Sequence, residues 1–358
     1  MGCRKLKQKW FFAALIVLFV LSAIGHYMHF GAVTEFILSA AAILFVAGFL
    51  GKATESVAHY AGQRLGGFLN ATFGNAAELI IAIFLVKEGL FDMVKASITG
   101  SIIGNLLLVL GLSVFLGGLK YKEQKFNIHL ASHNSSLMIL AVIALFIPAI
   151  FTSAEHFDVQ ASRWLSLSIA GILIVAYVLW LIFSMITHKD VLADEEITSP
   201  DHGEEAAWSK WTSVLFLLIA TVMTAFVSEW LVDTLHTFTE KFGLSEVFVG
   251  AFLIAIVGNA AEHSAAVVLA MKNKIGAAVE IAVGSSLQIA LFVAPVLIFV
   301  SALFGETMNI VFSTVELAAI AVAVFIATSI SRDGRTNWYE GALLIAVYAI
   351  LGLAFYFI

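Results

Sequence analysis

Gly74-Asn75-Ala76-Ala77-Glu78 and Gly258-Asn259-Ala260-Ala261-Glu262 are the same five residues written twice, each time inside a long apolar stretch. An acidic side chain at the centre of a membrane helix costs about 2.5–3.5 kcal/mol on insertion scales. Two such carboxylates in repeated settings mark a duplicated site that handles positive charge inside a membrane.

Outward from the motif, composition sets the class. Of 358 residues, 61% are hydrophobic and only 12% charged, and the mean hydropathy is +0.99. Soluble domains carry roughly 25% charged residues, so an ordinary globular enzyme or nucleic-acid binder is excluded. Apolar runs long enough to span a bilayer recur along the chain. The expectation is an all-α polytopic membrane protein with about eleven transmembrane helices, near 10–29, 34–60, 65–87, 92–118, 126–152, 161–187, 209–236, 245–271, 275–304, 309–330 and 337–358. The net charge of −6 is local in origin, since Asp190, Asp194, Glu195, Glu196, Asp201, Glu204 and Glu205 crowd one polar stretch. A single cysteine, Cys3, rules out an internal disulfide. The basic start and the apolar run from Trp10 to Ile24 read as a retained first span, because no small-x-small cleavage site follows.

Basic residues set the orientation. With the N-terminus in the cytoplasm, fourteen Lys and Arg fall inside and four outside, with Lys52 left within a span. Sliding the chain by 184 positions lays the first motif on the second, and without a gap Gly100-Ser101 then meets Gly284-Ser285. This predicts an extra helix at 1–32, a five-helix repeat at 33–187, an acidic cytoplasmic linker at 188–208 and a second five-helix repeat at 209–358. Five spans per unit is odd, so the second copy enters from the opposite side. That is the inverted-topology, 1+5+5 arrangement of secondary transporters, whose sites lie at the midplane.

Glu78 and Glu262 are the first candidate ligands, with Asn75 and Asn259 three residues earlier on the same helix face. Each Gly-Asn pair weakens regular helix, so a break is expected at both motifs. Carboxylate, amide and carbonyl oxygens make a hard donor set that suits Ca²⁺, with Mn²⁺ also compatible. Two carboxylates in a low-dielectric site cannot both stay ionised without a cation, so Ca²⁺ and protons would compete there. Competition together with alternating access is sufficient for antiport. Ser101 and Asn105 in one repeat, and Ser285, Ser286 and Gln288 in the other, either complete the coordination or make interhelical hydrogen bonds. Glu55 and Glu229 read as second acids or proton relays, and His263 as a coupling group beside Glu262. Glu280, His129, His133 and Asn134 are weaker candidates, and Gly100 with Gly104 points to close helix packing. No zinc-type His/Glu pattern or nucleophile–base set supports an enzyme, and no resident cofactor is implied.

The stretch Leu65-Gly-Gly-Phe-Leu-Asn-Ala-Thr-Phe-Gly-Asn-Ala-Ala-Glu-Leu79 resembles the first signature of the Ca²⁺/H⁺ antiporter (CAX) family, within the cation/Ca²⁺ exchanger superfamily. Ser245–Gly250 with Val257–His263 resembles the second signature, and Ala282–Ile289 and Asp333–Gly341 resemble later family segments. The resemblance implies eleven helices as one plus five plus five, and export of cytosolic Ca²⁺ driven by proton entry. It implies that Glu78 and Glu262 alternate between Ca²⁺ and protons, with Asn75 and Asn259 beside them and Asn105 and Gln288 on the ion path. It likens the second and seventh spans, carrying Glu55 and Glu229, to mobile gating helices. A bacterial plasma-membrane protein is expected, with the C-terminus extracytoplasmic and the bilayer, Ca²⁺ and H⁺ as partners; a homo-oligomer is compatible. A Na⁺-coupled Ca²⁺ exchanger is the alternative.

Overall fold

Apolar runs with no water to bond their backbone must satisfy it within each segment, and helices result. The structure, a computed structural model, describes residues 2–152, 158–188 and 206–358. The helices are α1 (Gly2–Tyr27), α2 (Ala32–Phe73), α3 (Ala76–Lys87), α4 (Phe91–Ile103), α5 (Leu110–Tyr121), α6 (Ile128–Thr152) and α7 (Val159–Ile182) in the first half. The second half holds α8 (Lys210–Phe242), α9 (Ala255–Ala270), α10 (Ile275–Gln288), α11 (Ala294–Leu303), α12 (Thr314–Ile330) and α13 (Trp338–Tyr356). Two three-residue strands, β1 (Glu123–Lys125) and β2 (Arg335–Asn337), pair antiparallel with Gln124 opposite Thr336. Most of the acidic stretch expected as a linker, from 190 to 205, lies outside the described residues.

Among the described residues, ten helices are long and apolar enough to cross a membrane. The remaining expected span, near 65–87, is present in two pieces. Its first part is the tail of α2 beyond Gly62, where the chain turns sharply at φ 80° and ψ 171°. That backbone region carries no steric penalty for glycine alone. Its second part is α3, separated from α2 by Gly74 and Asn75. The break expected at the second motif is not there: Gly258 and Asn259 lie inside the continuous α9. A helical glycine costs only about 1 kcal/mol relative to alanine, which packing readily overrides. The irregularity sits upstream instead, as a π-helical segment at Val249–Ile254. Two more π segments, Gly104–Val109 and Ile289–Val293, continue α4 and α10 at positions related by the same 184-residue offset.

The described chain forms two compact units, and each draws on both sequence halves. The first holds residues 1–85, 204–246 and 257–261. Here α2 packs along α8 and α1, around a core of Leu15, Phe49, Leu50 and Ala220. Trp208 sets its ring edge-on to Phe49 and Phe216, while Ser56 and Ser213 share a hydroxyl hydrogen bond of 2.8 Å. Lys52 places its ammonium 3.7 Å from the centre of the Phe11 ring, a cation–π contact that gives this in-span charge a partner.

The second unit holds residues 86–203, 247–256 and 262–358. Its centre is the pair of spans Phe91–Tyr121 and Ile275–Leu303, whose apolar windows are 72% and 61% buried against 22% for Ser132–Thr152. Gly100 lets α4 approach the 249–254 segment, since a Cβ there would overlap the Ala251 carbonyl. Gly104, by contrast, has open space around it, so the packing role expected of both glycines falls to Gly100.

Candidate functional site

The break before Ala76 places Glu78 in the first turn of α3, where the helix dipole favours negative charge. Glu78 is buried at 5% exposure, and Asn75 at 4%. The Asn75 carbonyl accepts a hydrogen bond from the Leu79 N–H at 2.9 Å, which carries the chain across the break. Asn259 of the second motif, 181 residues away in sequence, donates its side-chain N–H to Glu78 Oε1 at 3.2 Å. Gly258 packs alongside: a Cβ at that position would stand 3.7 Å from the Glu78 Cα and Cβ, an ordinary contact distance. Residues of both motif copies therefore touch within the first unit.

Glu262 lies in the interior of α9, one turn beyond Asn259. It is only partly buried, and its Oε2 accepts a hydrogen bond of 2.7 Å from the Ser285 hydroxyl of α10. The next residue, His263, brings Nε2 to 3.2 Å from Asn105 Oδ1 in the π segment after α4. Glu262, Ser285, His263 and Asn105 all belong to the second unit. The sequence candidates thus gather into two constellations, Asn75–Glu78–Asn259 and Glu262–Ser285 with His263–Asn105. The first is built of carboxylate and amide groups, and the second adds a hydroxyl and an imidazole.

The other candidates divide. Ser101 is buried on α4 and Gln288 is partly buried at the end of α10. Ser286 donates its hydroxyl to the Ala282 carbonyl of its own helix at 2.9 Å. Glu55 is exposed on α2 and Glu229 partly buried on α8. His133 stacks on Phe183 with ring centres 4.8 Å apart, a helix–helix contact. Glu280 is exposed and lines a small, mostly apolar cavity with Asn134. Among the described residues, no group of three or more His, Cys, Asp and Glu converges. A cation at either glutamate would therefore draw on amide, hydroxyl or backbone oxygens as well.

Comparisons with known proteins agree with one another. The sodium/calcium exchanger protein family model matches residues 31–186 and again 212–357. The Ca²⁺/H⁺ antiporter ChaA of Bacillus subtilis (strain 168) is 49% identical over 338 residues, covering 94% of this chain and 95% of that protein. A Ca²⁺/H⁺ antiporter of Aphanothece halophytica is 45% identical, with 98% of each chain covered. Among solved structures, that of native YfkE superposes with a TM-score of 0.84 at 44% identity, over 97% of this chain and 99% of the other. The chain belongs to the sodium/calcium exchanger protein family.

Proposed function

We propose that the chain is a Ca²⁺/H⁺ antiporter in which Glu78 and Glu262 take Ca²⁺ and protons in alternation. The observation that carries this reading is the 3.2 Å hydrogen bond from Asn259 to Glu78, which joins the two motif copies. A buried carboxylate beside a neutral amide can ligate a hard cation and accept a proton when the cation leaves. Asn75 and Asn259 supply amide oxygens beside Glu78, and Ser285 orients Glu262. Asn105 and Gln288, with Ser101, lie on the ion path; Glu55 and Glu229 ride on gating helices. The relatives named as Ca²⁺/H⁺ antiporters, similar along nearly their whole length, support the same assignment.

In this reading the chain is one helix plus two inverted five-helix repeats, working by alternating access. Support comes from the double family match at 31–186 and 212–357 and from the π segments at repeat-related positions. The split span of α2 and α3 supplies the eleventh crossing. The N-terminus is cytoplasmic and the C-terminus extracytoplasmic in a bacterial plasma membrane, so that Ca²⁺ leaves as protons enter.

The test is ⁴⁵Ca²⁺ uptake into proteoliposomes under an imposed pH gradient without Na⁺. Uptake that follows the proton gradient is expected. Uptake that appears only with a Na⁺ gradient would transfer the chain to the Na⁺-coupled alternative.

A further inference from the structure

The second unit contains a feature that ion exchange at the glutamates does not use. Between α6 and α12 runs a groove of about 710 Å³, within the range of roughly 300–1,000 Å³ typical of small-molecule sites. Its polarity is graded. One end is walled by Ile139, Ile143 and Phe325, and the other by Ser132, Thr328 and Arg332. Because α6 and α12 run antiparallel here, the start of one and the end of the other form the polar mouth together. The apolar walls are open, with Phe325 73% and Ile143 48% exposed.

The mouth lies beside a strongly basic face. Residues 120–125, 272–274 and 332–335 carry Lys120, Lys122, Lys125, Lys272, Lys274, Arg332 and Arg335, against only Glu123 and Asp333. Three separate loops are bound into this one face. The β1–β2 ribbon ties the first to the third, and the buried Gln124 amide donates to the Ala270 carbonyl and to Asn273 Oδ1, both at 3.0 Å. Lys120 adds a 2.8 Å bond to the Met271 carbonyl. Both acids are occupied, Glu123 by Arg335 at 3.3 Å and Asp333 by the Arg335 backbone N–H at 3.1 Å. Exposed Trp338 and Tyr339 follow directly on β2, and such aromatics sit at headgroup depth in membrane proteins.

We propose that this groove binds an anionic phospholipid, with an acyl chain along its apolar walls and the phosphate headgroup at Arg332 and Lys125. Orientation by positive loops requires only that basic residues be on one side. It requires neither their convergence on one mouth nor an apolar groove leading from it, and a lipid of opposite charge matches both features. The inference is independent of which ions the chain exchanges.

The experiment is thermal unfolding of the full chain in neutral detergent, titrated with phosphatidylglycerol or with phosphatidylcholine. Phosphatidylglycerol is expected to raise the midpoint by several degrees more than phosphatidylcholine. The double variant Lys125→Gln/Arg332→Gln, which changes two exposed residues, should abolish that difference while retaining the unliganded midpoint. Ile143→Trp, which fills the groove, should remove the shift without altering the number of chains per particle by light scattering. Equal shifts from the two lipids, or an unchanged preference in the double variant, would overturn the proposal. So would reproduction of the shift by inorganic phosphate alone, which would mean a free anion. A change in chain number with Ile143→Trp would instead assign the groove to a second copy of the chain.

Discussion

In the first motif copy the helix stops at Phe73 and restarts at Ala76, and Glu78 occupies the opening turn of the new segment. In the second, α9 passes through Gly258 and Asn259 without interruption, and Glu262 sits in mid-helix. The first carboxylate is buried and held by an amide from the other copy; the second is partly open and held by a hydroxyl from the following helix. Five identical residues thus produce two different electrostatic settings. One lies in the first turn of a helix, where the dipole is worth about 0.3–1 kcal/mol to a negative charge, and the other lies in mid-helix. The recurring motif supplies two carboxylates, but the flanking geometry makes them unequal.

The strongest way to break this comparison is to remove each charge in turn. Glu78→Gln and Glu262→Gln are each expected to reduce proton-driven Ca²⁺ uptake to the level of empty liposomes. If either variant transports normally, that glutamate is not a carrier and the paired reading fails.

Next come the partners, where the two settings should respond differently. Asn259→Ala removes the amide proposed to supply an oxygen to Ca²⁺ beside Glu78, and a contact to a charged group is worth about 1–3 kcal/mol. Apparent Ca²⁺ affinity should fall roughly 5- to 150-fold. Ser285→Ala removes a single neutral hydroxyl from Glu262, whose residue is less deeply buried than Glu78. A smaller loss is expected, about fivefold, equivalent to ~1 kcal/mol. Isothermal Ca²⁺ titration of the two variants side by side checks the order. Equal losses would erase the proposed difference between the sites.

Much of this was legible from residues alone, and the reasons differ by feature. Span lengths and the membrane class follow from apolar runs that nothing but a bilayer would tolerate. The 184-residue offset found the glutamates and their Asn neighbours, because in-span polar groups are costly enough to stand out. The helix break was read correctly at Gly74-Asn75 and wrongly at Gly258-Asn259, since a local preference of about 1 kcal/mol cannot decide against packing. The π segments at 104–109, 249–254 and 289–293 have no composition of their own and were invisible. The β1–β2 ribbon was equally hidden, because each strand is three residues long and exists only through its partner. Basic loops were read for orientation, while their gathering into one face needed the fold.

A third pair of equivalent positions carries the comparison into packing. Gly100 and Gly284 are related by the same offset, and a Cβ at Gly100 would overlap the Ala251 carbonyl whereas one at Gly284 meets nothing within 4 Å. Gly100→Ala must therefore push backbone apart, and overpacking of this kind costs about 1–3 kcal/mol or more. Its unfolding midpoint in detergent should drop by several degrees.

Gly284→Ala is the smallest effect and the most discriminating. The residue lies inside α10 with room for a methyl group, so the substitution gains helix propensity of up to about 1 kcal/mol and pays no steric cost. The midpoint should hold or rise slightly, with transport retained. Gly284 is one residue from Ser285, the partner of Glu262, so a displaced α10 would weaken Ca²⁺ binding through that hydroxyl. Retained stability with lost affinity would show that the helix must move at Gly284 during the cycle, and the glycine would then be kept for motion rather than for space. Retained stability with retained affinity would leave the steric asymmetry between the two glycines as the whole difference, which is the outcome the packing predicts.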